Sequence, residues 1–328
     1  MKMTVLITGG AGFIGSHLTK ELLKRGDEVI IADNFSTGSR DNIVPVDGRL
    51  PEVYELDVAA EKDALRELVK RADVVFHLAA AVGVELVVND PVRTIETNID
   101  GSSNVVKLAS EYGKRLFVAS TSEVYGKSTN EVFSEDDDLL IGSSVYSRWS
   151  YACSKLMDEF YVMAYVRAAG LKGTVVRFFN TVGPGQTGRY GMVIPRFVRA
   201  ALEGKNLQVY GDGGQSRCFC HVSDVVRALL LLLEHDESIG NIYNIGSSNL
   251  ITIRELAEKV IERAGSTSGI DVIPYNVAYA AGFEDMRRRK PSTDKINALT
   301  GWRAEKSLNE IIDDVIVFEK GRGAVGNR

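Results

Sequence analysis

Cysteine is scarce in this chain of 328 residues. The three present, Cys153, Cys218 and Cys220, are too few for a disulfide framework, and Cys218-x-Cys220 lacks a second ligand pair at metal-binding spacing. Reduced, unpaired thiols and no metal site are expected. An excess of positive charge is also missing. Lys and Arg number 39 against 44 Asp and Glu, a net charge of -5, which leaves no basic stripe for a nucleic-acid polymer. Long apolar runs are absent as well: the longest block, around Ala228 to Leu233, is far too short to span a bilayer. The opening Met1-Lys2-Met3-Thr4-Val5-Leu6-Ile7 reaches glycines after a few apolar residues and does not read as a signal peptide. A cytoplasmic protein without nucleic-acid or membrane partners is expected. With 45% hydrophobic and 25% charged residues, the composition is that of a soluble globular protein of one large or two ordinary domains.

Glycine, by contrast, is concentrated where it carries information. Thr8-Gly9-Gly10-Ala11-Gly12-Phe13-Ile14-Gly15 follows the apolar run Val5-Leu6-Ile7 and opens a helical stretch from Ser16 to Arg25. Gly10, Gly12 and Gly15 satisfy the dinucleotide-binding pattern. One glycine makes a tight turn, one lets backbone approach a pyrophosphate, and one lets the helix pack on its strand. The helix N-terminus offers N–H groups and a positive dipole end to phosphates. A second strand, Glu28 to Ala32, ends at Asp33, where a carboxylate binds a ribose 2′-hydroxyl and repels a 2′-phosphate. NAD rather than NADP is the expected cofactor.

Short apolar runs then alternate with helical patterns. Strands are expected at Val5–Thr8, Val29–Asp33, Val53–Asp57, Val74–Leu78, Leu116–Ser120 and Thr174–Phe178, with helices near 62–71, 92–112 and 151–169. That alternation predicts a doubly wound parallel sheet with helices on both faces, its ligands beyond the carboxyl ends of the strands. After Asn180, glycine-rich loops suggest a smaller interleaved lobe. The expected division gives residues 1–179, with about 221–247, to the dinucleotide-binding domain, and 180–220 with 248–328 to the lobe.

Two constellations carry chemistry. Tyr151-Ala152-Cys153-Ser154-Lys155 places a phenol and an ammonium one helical turn apart on one face. A tyrosine is a poor base at neutral pH, and a lysine charge together with an oxidised nicotinamide would favour its phenolate. Ser120-Thr121-Ser122-Glu123-Val124-Tyr125-Gly126 follows a predicted strand and so lies at the ligand-bearing end of the sheet. Thr121 can share a proton network there, and Glu123 is costly to bury unless it binds or titrates.

With these residues the chain resembles the extended short-chain dehydrogenase/reductase family, in its nucleotide-sugar epimerase, dehydratase and decarboxylase branch. The resemblance runs from Thr8 to about Trp302. It rests on the glycine motif, Asp33-Asn34-Phe35-Ser36-Thr37-Gly38, Asp57-Val58, His77-Leu78-Ala79-Ala80, the Ser120–Gly126 run and Tyr151/Lys155. Arg177-Phe178-Phe179-Asn180, Val209-Tyr210-Gly211-Asp212-Gly213 and Arg217-Cys218-Phe219 extend it. It implies a Rossmann-type α/β sheet with a smaller interleaved α/β substrate-binding lobe. It also implies that Gly9, Gly12, Phe13, Ile14, Gly15, Asp33, Asn34, Asp57, Val58, Leu78, Ala79, Ala80 and Lys155 hold NAD. Tyr151, Lys155, Thr121, Ser122 and Glu123 would form the catalytic group, with Tyr151 the redox base. Asn180, Val193, Tyr210, Arg217 and Arg289 would bind a nucleotide sugar, the two arginines matching diphosphate oxygens with forked donors. In the family the helices near 92–112 and 151–169 form a four-helix dimer interface, so a homodimer is implied.

The resemblance leaves the reaction open. The family's dehydratases carry Thr-Asp-Glu where this chain has Thr121-Ser122-Glu123, so dehydration is disfavoured. That triplet and Arg288-Arg289-Lys290-Pro291 look like those of UDP-glucuronate decarboxylases, and Arg148-Trp149-Ser150-Tyr151 is similar to a bacterial decarboxylase run. His77-Leu78-Ala79-Ala80-Ala81-Val82-Gly83 instead reads like the 4-epimerase version, and Arg289 could serve a phosphate alone. UDP-glucuronate decarboxylation to a UDP-pentose is the favoured expectation and 4-epimerisation the alternative. A non-catalytic NAD-binding scaffold would belong to a different class, against which the intact Tyr151/Lys155 pair counts.

Overall fold

The computed structural model describes residues 2–82, 90–187, 192–278 and 286–325. Its main sheet has seven parallel strands. These are β1 (Thr4–Thr8), β2 (Glu28–Asp33), β3 (Glu52–Glu55), β4 (Val74–His77), β5 (Arg115–Thr121), β6 (Lys172–Phe178) and β7 (Ile242–Ile245), in the order β7-β6-β5-β4-β1-β2-β3. Each expected strand forms, with ends within a residue or two. Their near-continuous apolar sequences suit strands covered on both faces. Chain order reverses between β1 and β4, which makes the carboxyl ends of these two strands the switch point where ligands bind.

Helices α1 (Phe13–Arg25), α2 (Lys62–Arg71), α3 (Pro91–Glu111), α4 (Ser150–Ala169) and α6 (Val222–Leu233) accompany the sheet, and α5 (Val193–Leu202) lies between α4 and α6 in the chain. Local chemistry sets their ends. Asp90 caps α3 by accepting from Arg93 N, with Pro91 in the first turn, where its missing N–H costs nothing. Gly26 ends α1 and Gly170 ends α4, both left-handed. Two apolar clusters sandwich the sheet. One includes Ile7, Leu18, Ile31, Phe76 and the inward face of α6; the other includes Leu6, Leu65, Val105, Leu116 and Val162.

A third cluster lies apart from the sheet. Ile194, Phe197 and Val198 of α5 pack there with Leu256 and Val260 of α7 (Ile253–Ala264) and Ile311, Ile312 and Val315 of α8 (Leu308–Val325). Short strands accompany it: Leu207–Tyr210 runs parallel to Ile270–Ile273, while Ser216–Cys218 pairs with both Leu250–Thr252 and Arg288–Arg289. The last pairing sets Arg289 directly opposite Arg217, so residues 72 positions apart in sequence share one register. All three cysteines are free thiols.

Candidate active site

The β1–α1 turn has room for backbone and nothing else. Gly9 takes φ +73°, and a Cβ there would lie 2.7 Å from Ala79 N; at Gly15 it would lie 2.2 Å from the Gly9 carbonyl oxygen. The left-handed residue is thus Gly9, whereas Gly10 backs onto the Ile31 side chain. Gly12 starts α1 with no side-chain cap and no acidic residue in the first turn. The first N–H groups of α1 are left for an anion. At the end of β2, buried Asp33 accepts from Ala11 N at 2.9 Å and Phe35 N at 2.8 Å, which ties the acid to the glycine turn. Burial pushes its carboxyl up, and those two N–H groups pull it back. Asp57 accepts from Asn34 Nδ2 at 3.1 Å, bringing the next strand end alongside.

One cleft of about 690 Å³ gathers the residues singled out in the sequence. Gly9, Gly12, Phe13, Ile14, Gly15, Asp33, Asn34, Asp57, Val58, Leu78, Ala79 and Ala80 line it. So do Thr121, Ser122, Glu123, Tyr151, Lys155, Asn180, Val193, Tyr210, Arg217 and Arg289. Of the His77–Gly83 motif, Gly83 lies outside the described residues.

Around Tyr151 the electrostatics are specific. Its hydroxyl hydrogen-bonds Thr121, which lowers its pKa somewhat, but burial and then the negative charges of Glu123 and Asp158 push the phenol well above its usual range. Lys155 donates instead to Asp158 Oδ2 at 2.6 Å. The lysine charge expected to favour the phenolate is thus taken up by a carboxylate. Glu123 accepts from Arg148 Nη1 at 2.5 Å and from Arg289 Nη1 at 3.4 Å. Burial alone would raise it, but Arg148, Arg289 and Arg217 outweigh that and hold it down at about 2. Ser122 beside it is buried and carries no acid.

A second buried ion pair braces this cluster from behind. Arg177 of β6 grips Glu159 of α4 through Nε and Nη2, at 2.9 and 2.7 Å, and Glu159 Oε1 accepts from Ser120 Oγ at 2.5 Å. Breaking such a pair by removing one partner typically costs about 3–5 kcal/mol. Ser120 is thereby held next to Thr121.

Sequence reasoning missed several of these residues. Arg148 was visible only as part of a run before Tyr151, yet it is 5% exposed and is the strongest partner of Glu123. Arg196, in the first turn of α5, gave no signal. Its guanidinium lies 4.2 Å over the Tyr210 ring, its Nε and Nη1 are buried without a hydrogen-bond partner, and it lines the cleft. Asp158 was unremarked.

Fold and site together define a class: a parallel α/β protein with a dinucleotide cradle after β1 and a Tyr-x-x-x-Lys helix beside the end of β5. The model of the NAD dependent epimerase/dehydratase family matches residues 5–246. A UDP-N-acetyl-alpha-D-glucosaminuronate decarboxylase from Bacillus cytotoxicus is 43% identical over 96% of this chain and 97% of its own. The UDP-glucuronic acid decarboxylase 1 of Danio rerio is 35% identical over 96% of this chain and 72% of its own. Among solved structures, a UDP-glucose 4-epimerase with UDP-glucose from Thermotoga maritima has a TM-score of 0.88 at 30% identity, covering 98% of this chain and 99% of that one. The chain belongs to the NAD-dependent epimerase/dehydratase family. It is an NAD-dependent enzyme, and the glycine turn, the uncapped α1 N-terminus and Asp33 fit that cofactor.

The charge state of Glu123 is directly measurable. Its carboxyl should titrate below about pH 3 by ¹³C NMR, and Arg148→Gln should raise that midpoint by about one unit or more. A wild-type midpoint in the ordinary glutamate range would contradict the pairing.

Proposed function

We propose that the enzyme decarboxylates a UDP-linked hexuronate to a UDP-pentose. The observation that carries this reading is Glu123, held ionised between Arg148 and Arg289 beside Tyr151, with a serine where dehydration would need an acid. The decarboxylase names of the Bacillus and Danio relatives support it. UDP-glucuronate and its 2-acetamido counterpart are the two candidate substrates. Carbon dioxide and the UDP-pentose, or its 4-keto form, are the products.

When bound, NAD supplies reversible acceptance of the hydrogen on the sugar's C4. The residues assigned to hold it are those of the glycine turn, Asp33, Asn34, Asp57, Val58, the Leu78–Ala80 segment and Lys155. The chain's own residues handle protons and charge. Tyr151, hydrogen-bonded to Thr121, would act as its phenolate, favoured by the positive charge of bound NAD, and take the proton of the C4 hydroxyl. With a ketone at C4 the C6 carboxylate is that of a β-keto acid. The C5–C6 bond breaks, carbon dioxide leaves, and the electron pair passes through C5 to the C4 oxygen, where Tyr151 and Thr121 donate hydrogen bonds. C5 then takes up a proton, which gives the 4-keto pentose; return of the hydrogen to C4, with the Tyr151 proton going back to the C4 oxygen, would give the UDP-pentose. The substrate carboxylate enters among arginines whose charge is partly spent on Glu123, and its repulsion from Glu123 ends when it departs as neutral carbon dioxide.

Arg217 and Arg289, paired in register, are assigned to the diphosphate together with Asn180. Arg196 with Tyr210 and Val193 is assigned to the nucleotide end. The proposed division into a dinucleotide domain (1–179 with about 221–247) and a substrate lobe (180–220 with 248–328) is supported by the separate cluster around α5, α7 and α8, although Ile296 and Trp302 pack into a cluster of the main sheet. A second reading, 4-epimerisation, rests on the His77–Val82 run, similar to the epimerase version, whose Ala79, Ala80 and Ala81 line the cleft.

The same proposal includes a homodimer. Val92, Ile95 and Ile99 of α3 and Met157 and Phe160 of α4 are exposed at helical spacing, although Tyr161, Met163, Tyr165 and Val166 are partly buried against the chain's own core. Among the described residues no helix is long and apolar enough to cross a membrane.

Incubation of the NAD-loaded enzyme with UDP-glucuronate, and separately with its 2-acetamido counterpart, should give a product lighter by one carbon dioxide from at least one of them by mass spectrometry. An isomer of unchanged mass would establish the epimerase reading instead. Light scattering after size exclusion should give twice the chain mass of 35.9 kDa, and Phe160→Glu should give the monomer. A wild-type monomer would refute the interface.

A further inference from the structure

The Lys155–Asp158 pair is buried more deeply than its place beside a cleft requires. Its side chains are 2% and 3% exposed, and Nζ lies 2.6 Å from Asp158 Oδ2. A carboxylate in that position is costly unless it is paired and hydrogen-bonded. The fold commits several groups to it. Ser102 of α3 hydrogen-bonds the same carboxylate. Ser102 Oγ lies 3.0 Å from His77 Nε2, and His77 Nδ1 lies 2.7 Å from Thr8 Oγ1. Burial, with the Lys155 charge nearby, pushes His77 down to about 3, so the ring is neutral.

The direction of the row follows from donor counting. Thr8 Oγ1 accepts from Ala79 N at 3.4 Å and gives its own proton to His77 Nδ1. His77 then carries its proton on Nε2 and donates to Ser102, and Ser102 donates to Asp158. Lys155 donates to Asp158 from the other side. A hydrogen-bonded row thus runs from the last residue of β1, before the glycine turn, to the carboxylate beside Tyr151. The reaction proposed above uses neither Asp158 nor His77.

We propose that Asp158 is a positioning residue: it fixes the Lys155 ammonium in the cleft wall and draws that charge away from the Tyr151 hydroxyl. The inference rests on the reading of Tyr151 as proton acceptor. The charged and titratable groups around the pair are few. Tyr151 and Glu159 come from α4, His77 from β4, and Glu123 follows β5 with Arg148 and Arg289 behind it. Glu159 is bound to Arg177, Glu123 has its arginines, and His77 is neutral. Asp158 is therefore the group whose neutralisation leaves the lysine charge facing the phenol. Asparagine in its place keeps an acceptor oxygen for Lys155 and removes only the charge.

The test needs NAD alone, so its failure is separable from any failure of the decarboxylase reading. NAD is titrated calorimetrically at one mildly alkaline pH, in two buffers of different ionisation enthalpy, to count the protons released on binding. Asp158→Asn should release roughly two- to tenfold more phenol protons than wild type, since each unit by which the phenol pKa falls multiplies its ionised fraction by up to about ten. The excess should vanish in Asp158→Asn/Tyr151→Phe. An unchanged count, or an excess that survives the second substitution, would overturn the proposal. Should Asp158→Asn fail to fold, the wild-type protein still decides: the Lys155 ammonium, identified by its loss in Lys155→Met, should give a ¹⁵N–¹H signal protected from solvent exchange without NAD. A rapidly exchanging ammonium would overturn the assignment.

Discussion

A half-buried phenol in the field of two carboxylates is the constraint around which this active site is arranged. Tyr151 sits at the mouth of the sheet with Glu123 and Asp158 both adding to the cost of its ionisation. Neither carboxylate is loose. Glu123 is held by Arg148 and Arg289, and Asp158 by Lys155. Two carboxylates and three cations are thereby fixed around the hydroxyl. A cationic cofactor ring or an anionic sugar changes that balance on entry, and a small change counts because the groups are buried and poorly screened. Charge arranged before the reaction, rather than charge moved during it, is what such a site contributes.

The rest of the fold delivers those groups to one place. Parallel strands end together, so Thr8, Asp33, His77 and Thr121 arrive at one edge of the sheet from four different strands. The long helix α4 brings Tyr151, Lys155, Asp158 and Glu159 within three turns, and the Glu159–Arg177 pair locks that helix to β6. The arginines come from farther off. Arg148 precedes α4 on a short 3-10 turn, while Arg217 and Arg289 meet through two-residue strand pairing in the smaller lobe. The turn before α4 and the short strands outside the main sheet thus both contribute to the charge around Glu123.

Much of this was legible in the sequence, for identifiable reasons. Strands covered on both faces read as short apolar runs, so β1 to β6 could be placed within a residue or two, and the helices between them within three. The glycine turn was legible because steric demand leaves no alternative residue, although the pattern does not say which glycine is left-handed, a position Gly9 takes. Tyr151 and Lys155 showed through helical spacing. What could not be read was partnership. Nothing in the spacing of Arg148, Asp158 or Arg196 distinguishes a buried counter-ion from a solvated surface charge, because the partners lie on other elements or depend on depth. Arg196 in particular reads as the polar face of an amphipathic helix, and only its stacking on Tyr210 shows otherwise.

The account is tested most directly at the hydroxyl itself. Tyr151→Phe keeps the ring, its packing and both neighbouring ion pairs, and removes only the atom assigned to take the proton. The variant should bind NAD and the UDP-sugar about as well as wild type, while turnover of the hexuronate falls by roughly 10²-fold or more. Turnover within a few-fold of wild type would show that the proton goes elsewhere, and the charges gathered around Tyr151 would then need another explanation.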